Sequence, residues 1–324
     1  MNVDRPAASV LVLGGAGFIG RHVVSALAGM SCRIVVGSRY PSRIESRLPS
    51  EIRGSECRHV RFERMLKEED WRGPLDSIDA VVNCVGILRQ RGRETYDRVH
   101  RGAPAALAVA CRDRGIRLVH VSALGLDAPS SSRFLRSKLD GEHAIRRSGA
   151  DWLIVRPSLL DGDGGYGASW LRRVAHWPVH PVPATATGRI AVLDVRDLGE
   201  VLARLTLMST DERKVLTSDR AIELGGTETR TLAEHLSALR SRASHGLAWR
   251  LTIPGLVARL GSHLCDLVHA TPFSFGHLKL LGRDNCPKRN SLEAILGRAP
   301  RVVGNSRRPA ASNVPALTPE TRTG

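Results

Sequence analysis

Glycine at positions 14, 15, 17 and 20 separates an apolar run ending at Leu13 from an amphipathic run beginning at Phe18. Val10 to Leu13 read as a buried strand, and Ile19, Val23 and Leu27 recur at helical spacing. A strand, a side-chain-free turn and a helix in that order suit two linked phosphates. One glycine makes the bend, one lets backbone N–H groups approach the pyrophosphate, and one lets helix and strand pack closely. Gly15, Gly17 and Gly20 satisfy GxGxxG, and Gly14, Gly17 and Gly20 satisfy GxxGxxG. With Phe18 and Ile19 opening the helix, the anion would rest on unpaired N–H groups at the positive end of the helix dipole.

The second strand, Arg33 to Val36, ends in Gly37, Ser38, Arg39 and Tyr40. A site for NAD carries an acid there to accept the ribose 2′-OH. This chain instead has Arg39, with Arg43 nearby, and a guanidinium suits a 2′-phosphate. The expected cofactor is therefore NADP(H) rather than NAD(H).

The elements that must position these groups alternate between strand and helix. Strands are expected at 58–62, 80–83, 117–121 and 151–155, with helices at 103–112 and 134–147. That order implies an α/β fold with a doubly wound parallel sheet and a smaller, irregular C-terminal region on the substrate side. Ligands bind beyond the carboxyl ends of such strands. Arg39, Asn83, Gly86, Ser122 and Arg156 to Ser158, with Pro157 among them, should share one rim.

After Pro157 the regularity breaks. Asp161 to Gly167 reads as a flexible glycine-rich loop, and Trp177 to Pro183 is too proline-rich for a helix or a central strand. A strand is expected at 190–194 and a helix at 195–208, then a strand at 223–226 and a helix at 231–239. The apolar stretch from Leu247 to Leu281 is expected to cover the substrate side; docking on a partner or a membrane surface is its alternative. The resulting division is a dinucleotide-binding core at 1–160 completed by about 190–225, a mixed region at 161–303, and a disordered tail at 304–324.

Composition bounds the partners. A length of 324 residues allows one large domain or two. The net charge of +16 raises nucleic acid as a partner, but only five of the 48 basic residues are lysine and aromatics are 4%. Such an arginine bias spread along the chain, with few stacking side chains, argues against it. The six cysteines form no CxxC pair and read as reduced, mostly buried thiols; Asp161 and Asp163 read as loop acids, so no metal site is expected. No apolar run is long enough to span a bilayer and no leader pattern precedes the first strand, which implies a cytoplasmic protein, at most peripheral to a membrane.

The landmarks GGAGFIG at 14–20, DAVVNCVGI at 79–87, LVHVSALG at 118–125, SKLDGEHAIRRSGADWLIVRPS at 137–158 and VLDVRDLGEVL at 192–202 resemble the short-chain dehydrogenase/reductase superfamily in its extended or atypical, epimerase/dehydratase-like branch. More narrowly, they are similar to the group that includes the nucleotide-binding accessory subunit of respiratory complex I. The resemblance implies cofactor roles for Gly14, Gly17, Gly20, Arg39 and Lys138, with Asn83 to Gly86 lining the cofactor. It also exposes a departure. Catalytic members carry YxxxK on the helix after the fifth strand, and here the segment reads Phe134, Leu135, Arg136, Ser137, Lys138. Phenylalanine cannot shuttle a proton. Ser122, Tyr96 and Tyr166 are the remaining candidates to act beside Lys138, while His120 reads as a core histidine.

Two main readings follow. In the first the protein holds NADP(H) as a structural, assembly or sensor component of redox metabolism, beside a redox or membrane protein. In the second it is a working reductase or epimerase on a small organic or nucleotide-sugar substrate, with another proton donor. A third reading is a basic protein recruited to RNA or anionic lipid on a vestigial nucleotide fold.

Overall fold

The computed structural model describes residues 8–43, 54–126, 132–216, 220–243, 246–268, 278 and 280–303. The strands β1 (Ala8–Leu13), β2 (Cys32–Ser38), β3 (Glu56–His59), β4 (Ala80–Asn83), β5 (Arg117–Val121) and β6 (Trp152–Pro157) follow the expected order. With β11 (Ala221–Leu224) they form a seven-stranded sheet ordered β11-β6-β5-β4-β1-β2-β3. Every pairing in it is parallel. The order reverses between β1 and β4, and the carboxyl ends of those two strands open the crevice where such sheets take ligands.

Alternation along β1 explains the two covered faces. Val10 and Val12 point to one side, where they meet Val23, Val24 and Leu27 of α1 (Gly20–Ala28) and Leu198, Val201 and Leu202 of α5 (Val195–Leu207). Leu11 and Leu13 point to the other, with Trp71, Leu107 of α2 (Ala103–Asp113) and Ile145 of α3 (Arg133–Arg147). Helix ends are specified locally. The Ser132 hydroxyl accepts from Leu135 N–H at the start of α3, and Arg146 and Arg147 occupy its last turn, where cations complement the dipole. On α5, a methyl on Gly199 would come within 2.6 Å of the His22 carbonyl carbon, so the absent side chain lets α5 lie against α1.

A wide π-helical turn, Asp97–Gly102, precedes α2 and directs His100 into the interior. Such a turn carries one more residue per hydrogen-bonded loop than an α-helix. Gly141 of α3 packs against it, and any side chain there would collide with the His100 carbonyl oxygen.

Beyond β6 several expectations change. The stretch at 161–167 is a loop only in its middle. Its start pairs as β7 (Leu160–Asp161) with β10 (Leu193–Asp194), and Tyr166 opens α4 (Tyr166–Ala175). The strand expected at 190–194 is two short strands, β9 (Ile190–Ala191) and β10, which pair with different partners. The third strand ends at His59, and Phe62 begins a 3-10 turn. The proline-rich segment is neither a helix nor a central strand, as expected; it forms β8 (Val179–Pro183) outside the main sheet, paired among the described residues with β13 (Trp249–Ile253). Proline lacks a donor, and a two-stranded ribbon tolerates that loss where a central position does not. The chain continues through α6 (Thr210–Leu216), β12 (Thr229–Arg230), α7 (Leu232–Arg242), α8 (Gly255–Val268) and α9 (Leu292–Leu296). Asp197 of α5 is fully buried and ion-paired to Arg298 and Arg301, which ties the last described segment to the core. The tail expected at 304–324 lies outside the described residues.

Candidate functional site

Gly14 follows β1 at a φ of 72°, in the left-handed region that glycine tolerates best. Its N–H donates to the Gly37 carbonyl over 3.1 Å, and its carbonyl accepts from Gly17 N–H over 2.8 Å, so the corner is held by its own backbone. The N–H groups of Phe18 and Ile19 make no hydrogen bond among the described residues. Helix α1 has no side-chain cap and no acid in its first turn. That end of the helix therefore keeps its positive character for an external anion. Gly14, Ala16, Gly17, Phe18 and Ile19 face a cleft of about 960 Å³. Gly15 and Gly20 stand behind it in packing roles. A methyl on Gly15 would lie 2.8 Å from a Val36 methyl, and one on Gly20 would collide with the Gly14 carbonyl oxygen.

At the end of β2, Arg39 lines the same cleft, half-exposed, and pairs with Glu94. Its guanidinium carbon lies 5.9 Å from the centre of the Tyr40 ring. Arg43 ends a short 3-10 turn, and its side chain lies outside the described residues. Val60, Phe62 and the buried Glu63 add a wall that sequence reasoning missed. The signal was available: the carboxyl end of a third parallel strand borders the crevice by the same rule that selected Arg39.

In the middle of the cleft the structure corrects the expectation for Asn83. This side chain is fully buried within the sheet rather than on the rim. Its Oδ1 accepts from Val85 N–H over 3.1 Å and its amide donates to His120 Nδ1 over 3.1 Å, so it shapes the strand end from behind. His120 is the core histidine anticipated, and burial pushes its pKa down to about 3. Val85, Gly86 and Ile87, which follow Asn83, form the wall.

Ser122, Lys138 and Pro157 line the same cleft, and the Lys138 ammonium nitrogen lies 3.9 Å from where a Cβ on Gly86 would stand. The Ser122 hydroxyl oxygen is buried with no hydrogen-bond partner among the described residues, the mark of a polar group shaped for a ligand. Lys138 has no ion pair among the described residues. Burial lowers its pKa to about 8, against the opposing pull of Glu142 one turn further along α3. Glu142 is itself held by Arg156, whose Nε and Nη2 donate over 3.0 and 2.6 Å. Arg156 is thus part of the scaffold and not of the rim.

Of the two tyrosines weighed as proton donors, Tyr96 does not line the cleft. Its hydroxyl donates to the Leu88 carbonyl over 2.8 Å, and its ring stacks on His100 at 5.5 Å and meets Phe134 edge-on. Tyr166 does line the cleft, at the start of α4 and half in solvent. His100 is a second residue that sequence reasoning passed over. Its Nε2 accepts from Ile87 N–H over 3.2 Å, and its Nδ1 lies 2.9 Å from the Ser137 hydroxyl, which donates to the Phe134 carbonyl. These partners fix a neutral ring protonated on Nδ1, consistent with burial lowering its pKa well below the ordinary value. Nothing in its position other than the family-like segment around it distinguishes it in sequence.

The far part of the cleft is apolar, walled by Trp170, Leu171, Val174, Leu236, Ile253 and Leu281. Among the described residues no cluster of ligating side chains could hold a metal ion. The open glycine corner, unpaired amides, strand-end arginine, orphaned serine and unpaired lysine fit a dinucleotide.

Fold and site together define a nucleotide-binding protein of the Rossmann class. A family described as NAD(P)H-binding matches residues 14–173. A ceramide reductase of Caulobacter vibrioides is 31% identical over 192 residues, covering 58% of this chain and 57% of that protein. Subunit 9 of the NADH dehydrogenase [ubiquinone] 1 alpha subcomplex of Rattus norvegicus is 29% identical over 153 residues, 47% of this chain and 40% of that one. The match thus spans about half the length of these curated relatives. Among solved structures, dTDP-glucose 4,6-dehydratase of Bacillus anthracis in complex with NAD superposes with a TM-score of 0.65 at 14% identity, covering 91% of this chain and 92% of that one. Residues 14–173 thus match an NAD(P)H-binding family, and the chain is similar to ceramide reductase and to the complex I subunit 9 proteins on a fold shared with NAD-dependent dehydratases.

Proposed function

We propose that this protein holds NADP(H), with the pyrophosphate on the amides of Phe18 and Ile19, the 2′-phosphate at Arg39, and the nicotinamide ribose near Lys138 and Ser122. Bound there, the cofactor would supply a hydride donor or acceptor. The protein's residues would bind, orient and shield it. The observation that carries this reading is the open glycine corner with Arg39 at the end of β2 and no acid in its place. Phe134 stands where the catalytic members of the superfamily carry tyrosine, so tyrosine-dependent turnover is not its activity. The expected role is nucleotide-holding in the cytoplasm, as a structural, assembly or sensing component beside a redox protein.

A second reading is favoured by two groups in one cleft: the Ser122 hydroxyl with no partner among the described residues, and Lys138 with its pKa near 8. A reductase in which Ser122 orients a carbonyl and Lys138 supplies the proton would need both. The apolar far wall suits a substrate bearing a hydrocarbon more than a nucleotide sugar, and the relationship to a ceramide reductase supports that preference.

Titration with each cofactor tests the first reading. NADPH should bind at least about tenfold more tightly than NADH, the worth of one charge-assisted contact, and Arg39→Asp should abolish the difference. Equal affinities in the unaltered protein would remove the basis for Arg39's role.

A further inference from the structure

We infer that the layer formed by β8, β13 and α8 docks on an anionic lipid surface, with the mouth of the cleft facing the lipid. The ribbon's two faces differ. His180 and Val182 of β8 point inward and are buried, the latter among Leu232, Leu236 and Leu239. On the other face the register pairs Val179 with Trp249, Pro181 with Leu251 and Pro183 with Ile253. These pairs form a continuous ramp. Trp249 is 81% exposed and Leu251 53%, whereas Ile253, Pro181 and Pro183 already line the cleft.

Helix α8 continues the ramp. Ala258, Gly261 and Ser262 turn toward the cleft, while Leu256 and Leu260, one turn apart, are 71% and 62% exposed. Over Gly255 to Ser262 this helix is therefore apolar on both sides apart from Arg259 and Ser262, and only one of them meets protein among the described residues. A grouping of exposed tryptophan and leucines of this kind marks an interaction surface.

Charge selects the occupant. Between Glu234 on α7 and Asp266 near the end of α8 the chain carries Arg240, Arg242, Arg250 and Arg259 and no acid, so the exposed ends of β13 and the first half of α8 are bordered by cations alone. Arg250, between Trp249 and Leu251 on β13, pairs with His180 on the ribbon's other face yet is exposed, so its long side chain stands at the border of the ramp. Apolar side chains that insert, flanked by cations and free of acids, match the boundary of a bilayer whose headgroups are negative. Another protein would need no such depletion of acids, and self-association would bring these arginines onto one another. No described helix is long and apolar enough to cross a membrane, so the contact is with the surface.

Flotation of the full chain with phosphatidylcholine vesicles, with and without phosphatidylglycerol, tests this. The chain should float with the anionic vesicles and poorly with the neutral ones, and added salt should weaken the association. Trp249→Ser combined with Leu256→Ser and Leu260→Ser should reduce partitioning by about tenfold for each side chain removed, with the melting transition unchanged. Should that variant fold poorly, Arg250→Glu alone should cost about tenfold on anionic vesicles and nothing on neutral ones. Failure of the unaltered chain to float, equal flotation of the variants, or a dimer that the triple variant converts to monomer would each overturn the inference; the last would assign the face to a second copy. Nucleotide affinity does not enter these readouts.

Discussion

Phe134 and Lys138 share one face of α3, with the ammonium 5.9 Å from the centre of the aromatic ring. Residues four apart on a helix are neighbours, so the ring occupies the place from which a tyrosine hydroxyl would reach the same ligand as the lysine. The lysine is left as the charged group on that wall. Lys138→Met should weaken NADPH binding by about tenfold to a hundredfold, the range of a hydrogen bond to a charged group. Lys138 loses its proton as pH rises through about 8, so affinity should fall between about pH 7 and about pH 9.5 in the unaltered protein and stay flat in the variant. Fluorescence titration across that interval reads both effects.

Glu94 competes for the guanidinium that the 2′-phosphate would use. Glu94→Gln removes the competitor and keeps the shape. It should tighten NADPH binding by a few-fold and leave NADH binding unchanged, as measured by calorimetric titration at low salt; at high salt the gain should shrink, because the pair is half-exposed.

Gly141→Ala should destabilise the protein by about 1–3 kcal/mol, because the added methyl drives α3 away from the His100 carbonyl. Denaturant unfolding measures the loss. The same displacement moves Lys138, so nucleotide affinity should fall together with stability.

His120 titrates near 6.5 when unfolded and near 3 in the folded protein. The unfolded chain therefore binds more protons between those values, and stability should decline as pH falls from about 6.5 toward about 3. His22, lowered to about 4 chiefly by burial, acts in the same direction. His120→Asn removes one titrating group and should make the decline shallower, with a lower plateau at neutral pH from the lost contact to Asn83.

Asp197→Ala should cost about 1–3 kcal/mol: it strips a buried partner from Arg298 and Arg301, which are over a third exposed and keep Glu200, and leaves the Arg301 N–H unmatched. Thermal unfolding should show it, and proteolysis near residue 301 should accelerate.

The nucleotide half was legible because its signals are local. Apolar strands bounded by glycine, and helices with a buried stripe such as Val23, Val24 and Leu27, read directly from spacing. Strands β4 and β5 fall at the residues expected. What escaped depends on tertiary partners. Asn83 ends a strand at the crevice, yet its amide turns back to His120, and nothing in the neighbouring residues reveals that choice. Tyr96 offers a hydroxyl by type, and only the fold shows it spent on the Leu88 carbonyl. The Pro-rich strand β8 exists because β13, some seventy residues later in the chain, supplies its ladder partner. Glu63, next to the end of the third strand expected at 58–62, was open to the strand-end rule and was not singled out; the strand itself ends earlier, at His59.

The broad turn ahead of α2 has a genetic corollary. Removing one codon between those for Asp97 and Gly102 would take out the residue that the wide turn absorbs, so the chain would wind onward as ordinary helix with its flanks in place and the side chains inside the interval turned to new directions. The imidazole that now props the Ile87 amide would then face elsewhere, and the wall beside Gly86 would lose its brace. Insertions and deletions should therefore be tolerated far less in this short interval than substitutions are.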